Sequence, residues 1–292
     1  MRFFKVVLAS AVGYVLAAVV LFFLLFFVIA GIAGSAKQEV VIPSNGVLNL
    51  KLNYPIQDKI MDASPFAALS ALDPNQQIPV GLNDIIHAID NAKTDDNIKG
   101  VILDLTTFSA GYAKLTEVRN KFKESGKFVY AYADYYYYPT YYVASVADSV
   151  FANPEGEMSF TGMVAQVSFF AGALEKLGVE IQAVRAGKFK GAVEAYTRNN
   201  LSPENRQQIE VYINSVFDET LNAISTSRNL TVEKLKSDAD ELKLRSVQDY
   251  VDAGYIDATA YRDQFYSAMK VRMGVEDDTK VPLVSEQKYA QS

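Results

Sequence analysis

The stretch "KGVILDLTTFSAGYAKLTEVRNKFKESGKFVYAYA", Lys99 to Ala133, decides the fold class of this chain. It begins with a compact apolar run that is typical of a buried strand. Its middle part places apolar residues at helical spacing and ends at Gly126, where a left-handed helix cap costs least. A second apolar run begins at Phe128. A strand, a helix and a strand in this order predict parallel strands joined by a helical crossover.

The same alternation extends in both directions along the 292 residues. Period-two alternation over residues 44–56 predicts an earlier strand, and helical spacing over residues 82–95 predicts a helix after it. Further along, "VEIQAVRA", Val179 to Ala186, alternates like a strand, and Ser202 and Pro203 mark the start of a long helix. We therefore predict an α/β fold with a largely parallel sheet and repeated strand–helix units.

An apolar segment lies near the N-terminus. Residues 6–34, "VVLASAVGYVLAAVVLFFLLFFVIAGIAG", contain no charged side chain. At about 1.5 Å per residue they are long enough to cross a hydrocarbon core of about 30 Å. Because a cleaved signal peptide usually has an apolar region of only about 7–15 residues, we favour an uncleaved, single-pass transmembrane anchor in the lipid bilayer. Cleavage after Ala36, which small residues permit, is the alternative.

The charges beside this segment predict its orientation. Arg2 and Lys5 precede it, so the positive-inside rule places residues 1–5 in the cytoplasm. Everything after Lys37 then lies outside. Without Arg2 and Lys5, 26 of the 28 basic residues remain against 34 acidic ones, which is not the basic footprint of a nucleic-acid binder.

The residue types available restrict the chemistry. The chain has no Cys, which excludes disulfides, thiol nucleophiles and thiolate metal sites. Its one histidine, His87, lies in a helical pattern and is interpreted as a helix-surface residue rather than part of a Ser-His-Asp triad. Zinc sites usually need His or Cys, so we predict no metal and no cofactor. If the protein is an enzyme, its base is Lys, Asp or Glu.

Two lysines, Lys188 and Lys190, interrupt the apolar pattern between Gly187 and Gly191. Three interpretations stay open from the residues alone: a solvated loop, a phosphate site, or a lysine that acts as a general base after burial lowers its pKa. A Walker A loop needs G-x-x-x-x-G-K-[ST], and Phe189 follows Lys188 here, which disfavours the phosphate site. The nucleophile elbow G-x-S-x-G is also absent from the sequence.

A tyrosine-rich segment, residues 132–142, contains seven tyrosines. Tyrosine has an apolar ring and a polar tip, which suits either a core or subunit interface, or a partly wet groove. Packing in the core or between subunits is therefore one interpretation. A groove that binds an extended apolar peptide is the other.

The segment "RAGKFKGAVEAYTRNNLSPENRQQI", Arg185 to Ile209, resembles the lysine segment of signal peptide peptidase A in its long, membrane-anchored bacterial form. The similarity rests on Lys190 after a glycine and an aromatic residue, on A-V-E at 192–194, and on Ser-Pro at 202–203. It extends through "IKGVILDL", "ESGKFVYAYAD" and "LEKLGVEIQAVRAGKFK", and covers about residues 46–275.

The resemblance implies a crotonase/ClpP-like α/β domain and a serine protease with a Ser-Lys dyad, built from two homologous halves. The first half supplies the lysine, so Lys190 would be the general base. The second half would supply the serine and the oxyanion-hole glycine. This chain has Pro139 at the approximate place of the nucleophile, and Ala110-Gly111 where the other half builds its oxyanion loop. It therefore resembles half of an active site.

These expectations define a domain organisation and a function. Residues 38–274 would be an exported peptidase domain, and residues 275–292 a linker or tail towards a missing C-terminal half. The resemblance implies a bacterial inner-membrane endopeptidase, with its domain in the periplasm, that degrades signal peptides left in the membrane. Its partners would be apolar signal peptides, a serine-bearing C-terminal half in cis or in trans, and further copies in a homo-oligomer.

Three alternatives stay open for this function. The first is a non-catalytic, membrane-anchored scaffold that binds a peptide or a partner subunit. The second is one half of a split protease, completed by a separate serine-bearing chain. The third, a coenzyme A-dependent crotonase, is disfavoured because an exported location is wrong for that cofactor.

Overall fold

The computed structural model describes residues 2–35, 42–58, 80–105 and 110–289. They belong to two compact units, one with the N-terminal helix and one that begins at Pro43. Ala36, the alternative cleavage position, lies outside the described residues. The N-terminal unit contains helix α1, Arg2–Ser35. Residues 2–27 of this helix are long and apolar enough to cross a membrane by length and composition, with a mean hydropathy of 2.6 over an 18-residue window. The apolar segment is therefore helical, as its sequence predicts.

The second unit is built around a six-stranded sheet in which every neighbouring pair of strands is parallel. The strand order is β7-β6-β5-β4-β1-β8, and β2 pairs with β3 in a separate two-stranded sheet. The strands are β1 (Gly46–Leu50), β2 (Ile56–Gln57), β3 (Val80–Gly81), β4 (Ile98–Asp104), β5 (Phe128–Tyr136), β6 (Ser149–Met158), β7 (Ala258–Thr259) and β8 (Leu283–Ser285).

Helices connect these strands and extend beyond them. They are α2 (Leu82–Thr94), α3 (Tyr112–Glu124), α4 (Tyr138–Ala144), α5 (Ala171–Lys176), α6 (Glu194–Thr197), α7 (Pro203–Arg228), α8 (Val232–Glu241), α9 (Val247–Asp252), α10 (Arg262–Met273) and α11 (Glu286–Tyr289), with a 3₁₀ turn at Gly191–Val193. The expected α/β fold class, a largely parallel sheet with strand–helix units after one N-terminal apolar helix, is confirmed.

The core explains why apolar runs became strands. Strands β1 and β4 are almost wholly buried, as in other parallel sheets whose two faces are covered by helices. On one face, Val47, Ile102 and Tyr132 form a buried cluster with Phe265 and Met269 of α10. Burial of these α10 side chains therefore stabilises the centre of the sheet.

The long helix α7 begins as the sequence predicts. The Ser202 hydroxyl accepts a hydrogen bond from the Asn205 N–H at 3.2 Å, and Pro203 occupies the first helical position. At its other end, Asn229 adopts a left-handed conformation with φ of 54°. These local caps fix where the helix starts and stops, and so fix the segment that leads into it.

The strand predicted at Val179–Ala186 is wrong. These residues form neither a strand nor a helix, and the side chains of Ile181 and Val184 are exposed. A strand requires a hydrogen-bonding neighbour, and β6 is instead paired with β7, which comes much later in the chain. The alternating apolar side chains therefore face solvent in this chain.

The C-terminal segment differs from the expected linker or tail of residues 275–292. Strand β8 pairs in parallel with β1, aligning Val47 with Leu283. Helix α11 follows, and the Tyr54 hydroxyl donates to Glu286 at 2.6 Å in a buried contact. A three-residue strand is too short for a periodicity argument, which explains why the sequence did not reveal it. The folded domain therefore extends to Tyr289.

We expect Gly100→Ala to destabilise the sheet, because a Cβ at this position would overlap the ring of Phe128 on the neighbouring strand. The expected loss is about 1–3 kcal/mol in the free energy of unfolding, the range for overpacked cores. Urea unfolding measures it. Gly162→Ala is the matched control, since nothing lies within 4 Å of its added Cβ. Equal stability of the two variants would contradict this packing.

Candidate functional site

Lys190 lies immediately before the 3₁₀ turn Gly191–Val193, of which it is the N-terminal flanking residue. Its side chain and that of Lys188 are exposed in this chain. The turn runs directly into α6, so the backbone of Lys190 is attached to a short, regular element rather than to an open loop. The position is therefore presented to solvent on a defined backbone.

A buried carboxylate fixes that backbone. Glu194, at the start of α6, is only 1% exposed. Its carboxylate accepts hydrogen bonds from the Ser202 N–H at 3.0 Å and the Asn205 side-chain amide at 3.2 Å, and from the Arg185 guanidinium at 3.4 Å. These donors precede and follow the Lys190 turn. Glu194 thus ties both flanks of the lysine segment to the N-terminus of α7.

The same contacts determine the charge of Glu194. The hydrogen bond from the Ser202 N–H is the largest of the contributions that lower the pKa of this carboxyl to about 2, and Asn205 and Arg185 lower it further. The carboxylate also lies at the N-terminal end of α7, where the helix dipole favours negative charge. Gly191 is required nearby, because a Cβ there would overlap the Asn205 side chain.

The residues around Lys190 form an exposed apolar region, which we call the arm and define as residues 163–200. Within it, Phe170 stacks on Tyr196 at 5.9 Å between ring centroids, and the Phe170 N–H donates to the Ala195 carbonyl at 2.6 Å. A cleft of about 340 Å³ lies between α5 and the segment that follows it. Large apolar side chains of the arm are exposed, namely Val164, Val167, Phe170, Leu177, Val179, Ile181, Val184, Phe189 and Tyr196.

The positions that correspond to the serine half lie elsewhere, at the carboxyl edge of the sheet. Pro139 is exposed in the first turn of α4, directly after β5. Gly111 precedes α3, after β4. Both therefore follow neighbouring parallel strands, but a proline side chain offers no nucleophile. Lys190 belongs to the arm and not to this edge.

The tyrosine-rich segment is mainly core. Tyr132, Tyr136, Tyr141 and Tyr142 are buried, whereas Tyr135 and Tyr137 are exposed. The buried hydroxyls have partners: Tyr136 donates to the Phe151 carbonyl at 3.0 Å and Tyr141 to the Tyr255 carbonyl at 2.8 Å. Burial raises the pKa of Tyr132 to about 12. Core packing is thus confirmed for four of the seven, and only the exposed ones stay available to a groove.

A charged cluster that the sequence did not reveal lies at the carboxyl edge of the sheet. The Arg262 guanidinium contacts Asp104 at 2.6 Å and lies 4.3 Å from the Tyr132 ring centroid. The Asn153 side-chain amide donates to Asp134 at 2.8 Å. The charges come from β4, β5 and α10, which are distant in sequence. The cluster is satisfied internally and serves to hold α10 on the sheet.

The composition predicts a surface role for His87 and no metal site. His87 is exposed on α2, as a helix-surface residue would be. Within residues 2–35, 42–58, 80–105 and 110–289, no group of three or more acidic or histidine side chains is placed to hold a metal ion.

We expect Glu194→Ala to make the lysine segment, residues 185–205, more mobile, because the substitution removes the hydrogen-bond acceptor shared by Arg185, Ser202 and Asn205. Loss of a buried, charged acceptor of this kind costs about 1.5–3 kcal/mol. Hydrogen exchange over residues 185–205 should accelerate while exchange in β4 and β5 stays unchanged. Glu175→Ala, at an exposed position of α5, is the control. Unchanged exchange in Glu194→Ala would contradict the bridging role.

The same carboxylate predicts an acid sensitivity. The pKa of Glu194 is lowered by folding, so its stabilising contribution is complete above the ordinary glutamate pKa and is lost as the pH falls towards about 2. Exchange over residues 185–205 should therefore rise between about pH 4.5 and pH 2 in the unmodified chain. Glu194→Ala should lack this rise after correction for the intrinsic exchange rate. An identical pH profile in both proteins would count against it.

Comparison with known proteins gives the family. The model of peptidase family S49 matches residues 121–276. The chain is 31% identical over 202 residues to the chloroplastic serine protease SPPA of Arabidopsis thaliana, covering 68% of this chain and 30% of the relative. It is 29% identical over 227 residues to Protease 4 of Haemophilus influenzae, covering 75% of this chain and 37% of the relative.

The chain thus spans about a third of the length of these curated relatives. Among solved structures, a mutant of the 1510-N membrane-bound stomatin-specific protease overlaps 83% of this chain and 97% of its own, at a TM-score of 0.47 and 11% identity. The S49 match alone covers more than half of the 292 residues and includes the whole lysine segment. The chain therefore belongs to peptidase family S49, as a relative of signal peptide peptidase A.

Proposed function

We propose that this chain is the lysine-bearing half of a membrane-anchored serine endopeptidase, in which Lys190 is the general base. The observation that carries the proposal is the Lys190 turn itself: it presents an exposed lysine on a backbone clamped by the buried Glu194. Membership of family S49 supports the reaction class. The proposed substrate class is apolar peptides, namely signal peptides left in the membrane.

In this mechanism a serine hydroxyl of the second half attacks the peptide carbonyl while Lys190 takes its proton. The tetrahedral oxyanion is stabilised by backbone N–H groups of the serine half. The C–N bond then breaks, Lys190 returns the proton to the leaving amine, and an acyl-serine remains. A water molecule, deprotonated by Lys190, then attacks the ester carbonyl. The ester C–O bond breaks, Lys190 returns this proton to the serine oxygen, and the peptide leaves with a free carboxyl group.

A lysine acts as a base only after its charged form has been disfavoured by burial. Lys190 is exposed here, so the proposal requires a partner that covers it. Covering the exposed apolar side chains of the arm would bury them favourably and bring a low-polarity surface against the lysine. We assign this role to the serine-bearing half, supplied in cis or in trans, and the length of the curated relatives supports it.

Helix α1 supports the proposed membrane location. Its apolar composition supports a single-pass anchor, and Arg2 and Lys5 support a cytoplasmic N-terminus with the domain on the periplasmic side of a bacterial inner membrane. An anchored peptidase is held beside substrates that are themselves in the bilayer. The exposed apolar side chains of the arm are chemically suited to such peptides.

A second candidate, a non-catalytic scaffold, is favoured by one specific observation. Pro139 stands where a nucleophile would be needed, so the chain contains only one member of the proposed dyad. In that case the arm would bind a peptide or a partner subunit without cleaving it. The two candidates differ in whether Lys190 is required for hydrolysis once a serine-bearing half is present.

We expect Lys190→Ala to abolish peptide hydrolysis by the complete assembly purified from source membranes, with a loss of at least about a hundredfold in kcat, the lower bound for removing a general base. Lys188→Ala, two residues away and equally exposed, should retain activity. Circular dichroism verifies that both variants are folded. Full activity of Lys190→Ala would remove the base assignment, and an inactive wild-type assembly would favour the scaffold.

We expect Val184→Glu to weaken association through the arm without unfolding the chain, because this side chain is fully exposed and apolar. A charge buried without a partner in the interface is unfavourable. Sedimentation velocity of the detergent-solubilised assembly should show a smaller particle. Val271→Glu, at an exposed position of α10, is the matched control. Wild-type mass in Val184→Glu would argue against an interface on the arm.

A further inference from the structure

A basic cleft opens at the amino-terminal edge of the sheet, away from the arm. Its volume is about 330 Å³, and its lining includes Asn45, Lys99, Lys127, Phe128, Arg272 and Met273. Lys99 is the second residue of β4, Lys127 immediately precedes the adjacent parallel strand β5, and Arg272 is in the last turn of α10. Parallel pairing therefore brings two lysines together, and the packing of α10 adds an arginine.

These three cations lack counterions in the structure. In the part of the chain that is described, none of the three forms an ion pair. The Lys99 ammonium donates to the Asp96 carbonyl at 2.8 Å and the Lys127 ammonium to the Asp95 carbonyl at 3.2 Å. An ammonium has three donors, so each lysine keeps hydrogen-bonding capacity for a ligand.

No acidic side chain is part of the cleft lining. The nearby Asp95 carboxylate is occupied, since it accepts from the Asn97 N–H at 2.8 Å and from the Tyr289 hydroxyl at 3.0 Å. Positive charges that converge without a neutralising group repel one another, and a bound anion would relieve this repulsion. The cleft therefore has the charge and donors for an anion.

The floor of the cleft is apolar. The ring of Phe128 belongs to the buried core cluster, and Met273 packs against the same cluster. The Arg272 guanidinium lies 5.7 Å from the Phe128 ring centroid, at the junction of the apolar floor and the basic rim. A free phosphate ion would use only the rim. A phosphate that carries a glycerol and acyl chains would use both surfaces.

The position of Asn45 along the chain places such a ligand within reach. Helix α1 ends at Ser35, and an extended connection from there to Asn45 spans at most about 35 Å. If α1 crosses the bilayer, this length is the upper limit on the distance between Asn45 and the end of the helix at the headgroup layer, where anionic lipids attract Lys and Arg. The connection itself lies partly outside the described residues.

We propose that this cleft binds the phosphate group of an anionic phospholipid headgroup. Lys99, Lys127 and Arg272 contact the phosphate, while Phe128 and Met273 contact the glycerol and the first methylene groups. The site rests on α1 being a membrane anchor and is independent of the peptidase assignment. Its occupancy would hold the amino-terminal edge of the sheet against the membrane surface.

The test measures the thermal unfolding of the full chain in a nonionic detergent with short-chain phosphatidylglycerol, short-chain phosphatidylcholine, or inorganic phosphate. We expect phosphatidylglycerol at about ten times its dissociation constant to raise Tm by about 3 °C, as mass action predicts for a domain of this size. Phosphatidylcholine and inorganic phosphate should give no comparable rise.

A triple variant that removes the three cations of the cleft should not show this rise in Tm; its substitutions are Lys99→Gln, Lys127→Gln and Arg272→Gln. The control Lys51→Gln, Lys176→Gln, Arg245→Gln removes the same charge at exposed positions outside the cleft and should keep it. If the triple variant does not fold, Lys99→Gln alone replaces it as the test. This substitution lies on the exposed rim of the cleft and should reduce the rise in Tm. No rise in the unmodified chain, an equal rise with phosphatidylcholine or phosphate, or an undiminished rise in the cleft variants would overturn the proposal.

Discussion

The parallel pairing of β4 with β1 on one side and β5 on the other is the constraint on which the rest of the domain depends. Parallel strands cannot be joined by hairpins, so every connection must cross a face of the sheet. Crossovers bury both faces, and they gather all carboxyl ends of the strands at one edge and all amino ends at the other. The domain therefore has two chemically distinct edges.

Those two edges carry different charges. The carboxyl edge has Asp104 and Asp134, both of which form ion pairs with Arg262 within the chain. The amino edge has Lys99 and Lys127, which lack a carboxylate partner in the described structure. The charges at the carboxyl edge are thus paired with one another, whereas the two lysines at the amino edge have no carboxylate partner in the described structure. Only the amino edge therefore has charge available for a ligand.

The sequence predicts the parts of the fold that depend on neighbouring residues. Apolar runs located β4 and β5, and a serine cap with a following proline located the start of α7. The predictions that were wrong concern segments whose structure depends on residues distant in sequence. Val179–Ala186 alternates as a strand should, yet no strand is adjacent to accept its hydrogen bonds. Strand β8 is too short for a pattern, and its partner β1 lies at the other end of the chain.

The candidate site likewise has one residue that the sequence reveals and one that only the folded structure reveals. Lys190 emerged from a motif, whereas the role of Glu194 required knowing that the Ser202 N–H and the Asn205 amide converge on it. Such a carboxylate is indistinguishable in sequence from an ordinary helix residue. Within the motif, then, the residue proposed for chemistry is exposed and the residue that shapes it is buried. The resemblance identified Lys190 from the sequence, whereas only the hydrogen bonds in the structure identify the role of Glu194.

The pairing of β8 with β1 has a consequence for how the chain matures. The buried contact between Tyr54 and Glu286 joins residues 232 positions apart, so this edge closes only after residue 286 has been synthesised. Contacts of such sequence separation form slowly. Until then, one side of β1 is an unpaired strand edge, which invites association with other chains. The newly made domain is therefore vulnerable to aggregation at β1, and the pairing of β8 with β1 ends that exposure.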